Sequence, residues 1–200
     1  MELKKAIETS LEKSISGKAY EALLERFAAE GKTSGTQNED LIYYTKLNAQ
    51  RSRRIYKTTD LEAELAEVVQ SLPTQTWLLL TETWCGDAAN SVPIIARLAE
   101  LNEKIDLRIV FRDENPELMD LFLTKGGRSI PKLIGLDANK KVLFDWGPRP
   151  AEAQKLYWDW REEDQRIPYS EFHIVMQKWY TQNQGLAIQQ ELKEKVEKAS

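Results

Sequence analysis

Apolar residues recur at three- and four-residue spacing from Leu3 to Ile15, and again at Tyr20, Leu23, Leu24, Phe27 and Ala28. This is the period of a helix with one buried face, so the spacing predicts a largely helical first seventy residues. Gly31 to Asp40 is rich in turn formers and reads as a loop, after which Leu41 to Leu47 resumes as helix. Thr59 and Glu62 have the spacing of a capping box ahead of Leu61, Leu65, Val68 and Val69, which predicts a short helix ending near Ser71 and Pro73. The pattern then changes. Thr76 to Thr81 is a short apolar run of strand type, followed by a turn at Cys85 to Asp87 and a helical stretch from Ala88 to Asn102. Leu107 to Phe111 reads as a second buried strand, and Pro116 opens a short helix through Leu123. Lys132 to Leu136 and Val142 to Trp146 flank a turn at Asp137 to Lys140 as a hairpin, and Pro150 starts a helix.

Strand, helix, strand, crossover helix, hairpin and helix is an α/β order, in which sites gather where a strand ends and the next helix begins. Cys85 occupies such a place. Beyond Glu162, Pro168 and Ser170 cap a predicted helix with Phe172, Val175, Met176 and Trp179 on one face, and Gly185 is placed to end it. Leu186 to Ser200 reads as a polar helical tail. No internal repeat interrupts the chain. The expected organisation is therefore one domain: a helical extension over 1–72, an α/β core over 73–163 and a second helical extension over 164–200.

Composition narrows the function classes. Two hundred residues, 42% of them hydrophobic and 30% charged, describe a chain able to bury about 70% of its unfolded surface without a staple. Thirty-two acidic against twenty-eight basic residues leave a net charge of -4, the wrong footprint for gripping phosphate backbones, so nucleic acid is not an expected partner. The longest apolar run, Trp77 to Leu80, is too short to span a bilayer, and the amphipathic start, Met1 to Ser16, lacks the apolar core of a secretory signal. No membrane partner and a cytoplasmic location are the expectations. A single cysteine makes no internal disulfide, and a single histidine, His173, offers little for a metal.

Cys85 lies in Trp84-Cys85-Gly86-Asp87-Ala88, and Pro93 follows eight residues later inside the predicted helix. Ile130-Pro131 precedes a strand, and Gly147 follows the last one. These features resemble the thioredoxin family, whose active-site turn is Trp-Cys-Gly-Pro-Cys, whose helix carries a proline at this spacing, and whose cis-proline loop faces the cysteine. The resemblance covers Thr76 to Glu162 and implies a thioredoxin fold: a central four-stranded mixed sheet flanked by helices, here with additional N- and C-terminal helices. It also departs from the family. Ala88 stands where the second cysteine belongs and Asp87 where the proline does, which closes the dithiol cycle, and Leu79 replaces the buried acid six positions before the cysteine.

What the resemblance leaves is a monothiol route. Cys85 would attack a protein disulfide or a glutathione-linked substrate, with Trp84, Gly86, Asp87, Ile130 and Pro131 shaping the substrate groove. An external thiol such as glutathione would then release it as co-substrate, with no metal and no resident cofactor. Arg128, just before Ser129-Ile130-Pro131, is the candidate anion holder, with a solvated loop arginine as the plainer account. A helix N-terminus lowers a cysteine pKa toward about 3.5 to 7.5, whereas Asp87 and burial against Trp84 push the other way. Two readings therefore stay open: a thiol-disulfide oxidoreductase using Cys85, or a non-catalytic interaction module in which Cys85 is a small buried relic. Tyr157, Trp158, Trp160 and Trp179 suit an aromatic binding surface or a helix interface, and Arg51 to Lys57 a phosphate contact or a solvated face.

Overall fold

The computed structural model describes residues 2–199; Met1, the first residue of the amphipathic start, and Ser200, the last of the helical tail, lie outside them. Nine α-helices and five strands are found among the described residues. The central strand, β2 (Gln75–Thr81), is buried along almost its whole length, as a continuous apolar run requires. It pairs in parallel with β3 (Ile105–Phe111) on one side and antiparallel with β4 (Lys132–Asp137) on the other. β4 and β5 (Val142–Trp146) form the predicted hairpin. A two-residue strand, β1 (Ile15–Ser16), adds an edge beyond β3, so the mixed sheet has five strands in the order β1-β3-β2-β4-β5. The expected helix over Leu3 to Ile15 accordingly stops at Lys13: α1 is Glu2–Lys13, and Arg108 binds the Oγ and carbonyl of Ser14 at 2.9 and 3.1 Å, which turns the chain into the sheet.

α2 (Gly17–Glu30) is capped by Ser16 and closed by Gly31, and α3 (Glu39–Thr58) runs well past the predicted Leu47 from an Asn38 cap. α3 lies along α5 (Gly86–Ala99), the crossover helix between β2 and β3. α5 is buried on nearly every side, polar Asn90 and Ser91 included, so its burial is not confined to one apolar stripe. Pro93 inside it cannot donate to the Ala89 carbonyl, and the Ser52 hydroxyl of α3 donates there at 3.4 Å instead. Gly147 lies where the chain leaving β5 crosses the Ile130-Pro131 loop. Its φ is 110°, and a Cβ there would stand 2.2 Å from the Pro131 carbonyl oxygen. Only glycine fits that crossing.

Several expectations are corrected along the chain. The capping box at Thr59 and Glu62 does not form: Thr59 closes α3, and α4 (Ala63–Ser71) starts without a side-chain cap. Its entry is held by Gln189, which is fully buried, accepts from the Glu62 N–H at 2.9 Å and donates to the Asp60 carbonyl at 3.1 Å. A tertiary partner has displaced the local one. The helix expected from Pro116 to Leu123 is only α6 (Pro116–Met119), after which Leu121 and Phe122 bond three residues back. α7 (Ala151–Glu162) begins after Pro150. α8 (Tyr169–Asn183) buries Phe172, Met176 and Tyr180, while Val175 is 42% exposed; Gln184 ends the helix and Gly185 opens the next.

That next helix, α9 (Leu186–Glu197), is more than a polar tail. Ile188, Leu192 and Val196 form a narrow i, i+4, i+8 stripe of zero exposure, and the helix packs on α4 and β5. Leu192→Ala is expected to lower the unfolding free energy by about 2–5 kcal/mol, measured by urea denaturation. A loss within about 0.5 kcal/mol, the range of surface substitutions, would place α9 outside the core.

Candidate active site

The chain leaves β2 through Glu82-Thr83-Trp84 and enters α5 at Cys85, the helix N-cap. Glu82, Thr83 and Cys85 on this path are buried, so their polar groups need partners within the protein. Thr83 bonds the hydroxyls of Thr33 and Thr45 at 3.2 and 3.1 Å, its N–H donates to Ser34 Oγ at 2.9 Å, and its carbonyl accepts from Asn48 at 3.0 Å. The Glu82 carboxylate, fully buried, accepts from the Ser34 hydroxyl and from the Asp113 N–H at 3.0 Å. The turn-rich segment read as a loop is thus clamped to the end of the central strand. Burial raises the Glu82 pKa above its ordinary 4.5, with the bonds from Ser34 and Asp113 opposing.

Cys85 is 7% exposed. Its sulfur accepts from the Ala88 N–H at 3.5 Å and donates to the Ile130 carbonyl at 3.4 Å, and the Ile130-Pro131 peptide is cis. Two of the sequence-selected stretches, the Trp84 to Asp87 turn and the Ile130-Pro131 loop, therefore meet at the thiol. Burial first, then the Asp87 carboxylate, push the thiol up to about 12, outweighing the Ala88 N–H and the guanidinium of Arg149. Asp87 is not a free first-turn acid. Arg149 pairs with its Oδ2 at 2.5 Å and the Tyr180 hydroxyl donates to its Oδ1 at 2.9 Å.

α8 covers the turn. A Cβ on Gly86 would meet His173 at 3.0 Å and Gln177 at 3.3 Å, and Gln177 accepts from Asn90 at 3.0 Å. The small cavity of about 70 Å³ left beneath α8 is bordered by Cys85, Asp87, Arg149, Tyr157 and His173. His173 lies 3.3 Å from Arg51 and edge-on to Tyr44, and its pKa is lowered by burial and then by Arg51.

Arg128 is placed elsewhere. It forks onto Asp120 with two 2.6 Å bonds, so its charge is paired at the surface, while Arg112 lies over the Trp84 ring at 5.0 Å. The aromatic residues divide between roles: Trp160 stacks on Phe172 at 4.4 Å in the α7–α8 interface, Tyr157 lies under Arg149, Trp158 meets Lys125 and Trp179 packs beside Tyr180. In the basic stretch, Arg51 faces His173 and Arg53 pairs with Glu25. Among the described residues no group of three or more metal-ligating side chains gathers, and no helix is long and apolar enough to cross a membrane. Glu82, Arg149, Tyr180 and Gln177 belong to this site without having been singled out from the sequence. Only Glu82, an acid at the end of a buried strand, carried a local signal.

A family model described as thioredoxin matches residues 34–165. Two solved structures share the fold: a protein of unknown function from Pseudomonas aeruginosa, at 15% identity and a TM-score of 0.57, and an HIV epitope scaffold, at 18% identity and a TM-score of 0.54. Each alignment covers 88% of this chain and 92% of the other. No curated protein matches the sequence.

Because burial raises the Glu82 pKa, the folded protein holds a proton that the unfolded chain has already released at pH values above 4.5. The group's contribution to stability is then greatest below the unfolded pKa and declines as pH rises toward the folded one. Glu82→Gln, neutral throughout, is expected to remove that decline, so chemical denaturation across this range should show the variant gaining on the wild type as pH increases. A difference independent of pH would contradict the assignment.

Proposed function

The chain belongs to the thioredoxin family, and we propose that it exchanges disulfides by a single-cysteine route in which Cys85, its one thiol, at the N-cap of α5, is the nucleophile. The observation that supports this reading most directly is the seat of the Cys85 sulfur, between the first N–H groups of α5 and the carbonyl of the Ile130-Pro131 loop. The Cys85 thiolate attacks one sulfur of a protein disulfide or glutathione-linked substrate. A new S–S bond to Cys85 forms, the old one breaks, and the second sulfur leaves as thiolate. With Ala88 in place of a resolving cysteine, an external thiol such as glutathione attacks the mixed disulfide and returns Cys85. A cytoplasmic setting, where such thiols are abundant, suits this cycle. α8 must move aside for any substrate larger than the cavity beneath it, so the resting thiol is masked.

A second reading rests on that same burial: a non-catalytic interaction module, with Cys85 serving as a small apolar residue.

The two readings separate on one variant. In the first, turnover of a glutathionylated peptide by wild type in the presence of glutathione exceeds background, and Cys85→Ser abolishes it; equal rates for the two proteins favour the second. In both, the resting thiol is protected. With its pKa near 12 rather than 9.0, the thiolate fraction at neutral pH falls by about a thousandfold, so alkylation of the native protein should be at least about a hundredfold slower than of the denatured chain. Equal labelling rates would show that the thiol is neither buried nor suppressed.

A further inference from the structure

Arg149 leaves β5 two residues after Gly147 and reaches into the pocket that Cys85 lines. Its side chain is only 11% exposed. Nη2 is bonded to Asp87, Nη1 reaches Gln154 at 3.4 Å, and the Tyr157 ring lies 4.4 Å from the guanidinium carbon. Nε is buried with no partner. A cationic donor held inside a protein without an acceptor is uncommon, because its lost hydration is not replaced. Asp87 already takes one of the guanidinium's donors, and the Cys85 sulfur, which lines the same pocket and turns negative during exchange, is a second anionic acceptor for it.

Titratable groups surround that sulfur from several packed elements: Tyr20 on α2, Asp87 on α5, Arg149 after β5, Tyr157 on α7, and Tyr169, His173 and Tyr180 on α8. The phenols of Tyr20, Tyr169 and Tyr180 titrate above their ordinary range and His173 below its own, so these four are neutral near pH 7. Two formal charges remain next to the thiol, Asp87 and Arg149, and they are bonded to each other. Asp87 opposes ionisation of the thiol and Arg149 favours it, the carboxylate with the larger effect, so the guanidinium offsets only part of what burial and Asp87 impose.

We propose that Arg149 is the residue that stabilises the Cys85 thiolate, and that Asp87, assisted by Tyr180 of α8, withholds it in the resting protein. Asp87 and the sulfur compete for one guanidinium. As Cys85 ionises, Arg149 is shared between carboxylate and thiolate, with Nε–H the unused donor. Tyr180 ties this competition to the covering helix, since α8 fixes Asp87 Oδ1 only while seated. The inference rests on Cys85 acting as the nucleophile.

The test is the rate of Cys85 alkylation by iodoacetamide between pH 7 and 10, in wild type, Asp87→Asn, Arg149→Met and Arg149→Lys, with folding checked by circular dichroism and thermal melting. Asp87→Asn is expected to speed labelling at least tenfold, Arg149→Met to slow it at least tenfold, and Arg149→Lys to restore most of the loss. Both first variants break the same ion pair, so a purely structural role loosens the pocket and speeds both. Movement in the same direction, or no movement, overturns the proposal. If Arg149→Met does not fold, Asp87→Asn and Arg149→Lys decide: the first must speed labelling and the second must stay within about threefold of wild type. Turnover is read separately. Opposite shifts in proteins with no Cys85-dependent turnover retire the exchange reading and leave the electrostatic assignment; Cys85-dependent turnover with unmoved labelling retires Arg149 alone.

Discussion

The junction between β2 and α5 is dry, and most of the arrangement around it follows from that constraint. A strand end and a helix start expose unpaired N–H and carbonyl groups, and water would ordinarily satisfy them. Here water is excluded by α3 and the loop before it on one side and by α8 on the other. The protein supplies the partners itself: hydroxyls from Thr33, Ser34 and Thr45 at the strand end, an Asn48 amide for the Thr83 carbonyl, and the Cys85 sulfur as cap for the Ala88 N–H. Two ionisable groups are carried in with them. Glu82 is served by a hydroxyl and a backbone N–H, while Asp87 has Arg149 and Tyr180.

The same exclusion of water sets the chemistry of the thiol. A helix N-terminus favours an anion, but its help is small beside the cost of ionising sulfur in a place that solvent cannot reach. A nearby carboxylate adds to that cost. The resting Cys85 is therefore a protonated thiol in a nucleophile's position, and reactivity depends on what moves or ionises around it. α8 also meets its surroundings through polar contacts, Tyr180 with Asp87 of the turn, Gln177 with Asn90 of α5 and His173 with Arg51 of α3, whose hydrogen bonds water can replace. Its neighbour α9 is held by a fully buried apolar stripe and acts as part of the foundation.

Much of the core was legible because its signals are local. The apolar run of β2, the Asp137 turn between β4 and β5, Pro93 after Cys85 and Ile130-Pro131 before β4 each sit within a few residues, and their order along the chain restricts the topology. The loop facing the thiol was reached through the resemblance of these motifs to the thioredoxin family. Elements whose form depends on distant partners were read less well. The capping box at Thr59 and Glu62 lost to a glutamine 127 residues away, and β1 exists because Ile15 meets Ile109 across the sheet edge.

The sequence by itself determined the α/β order, the helix start that carries Cys85 and the lack of a second thiol at Ala88, since each is a matter of residue type at a given spacing. Tertiary structure alone decided that the thiol is masked, that Arg128 is turned to Asp120 and that Arg149 and Tyr180 share Asp87. Those outcomes are set by desolvation and by charged and polar groups brought together across 62 and 93 residues of chain. No local pattern records which distant groups will exclude water from a given atom, and it is that exclusion which fixes the charge of Cys85.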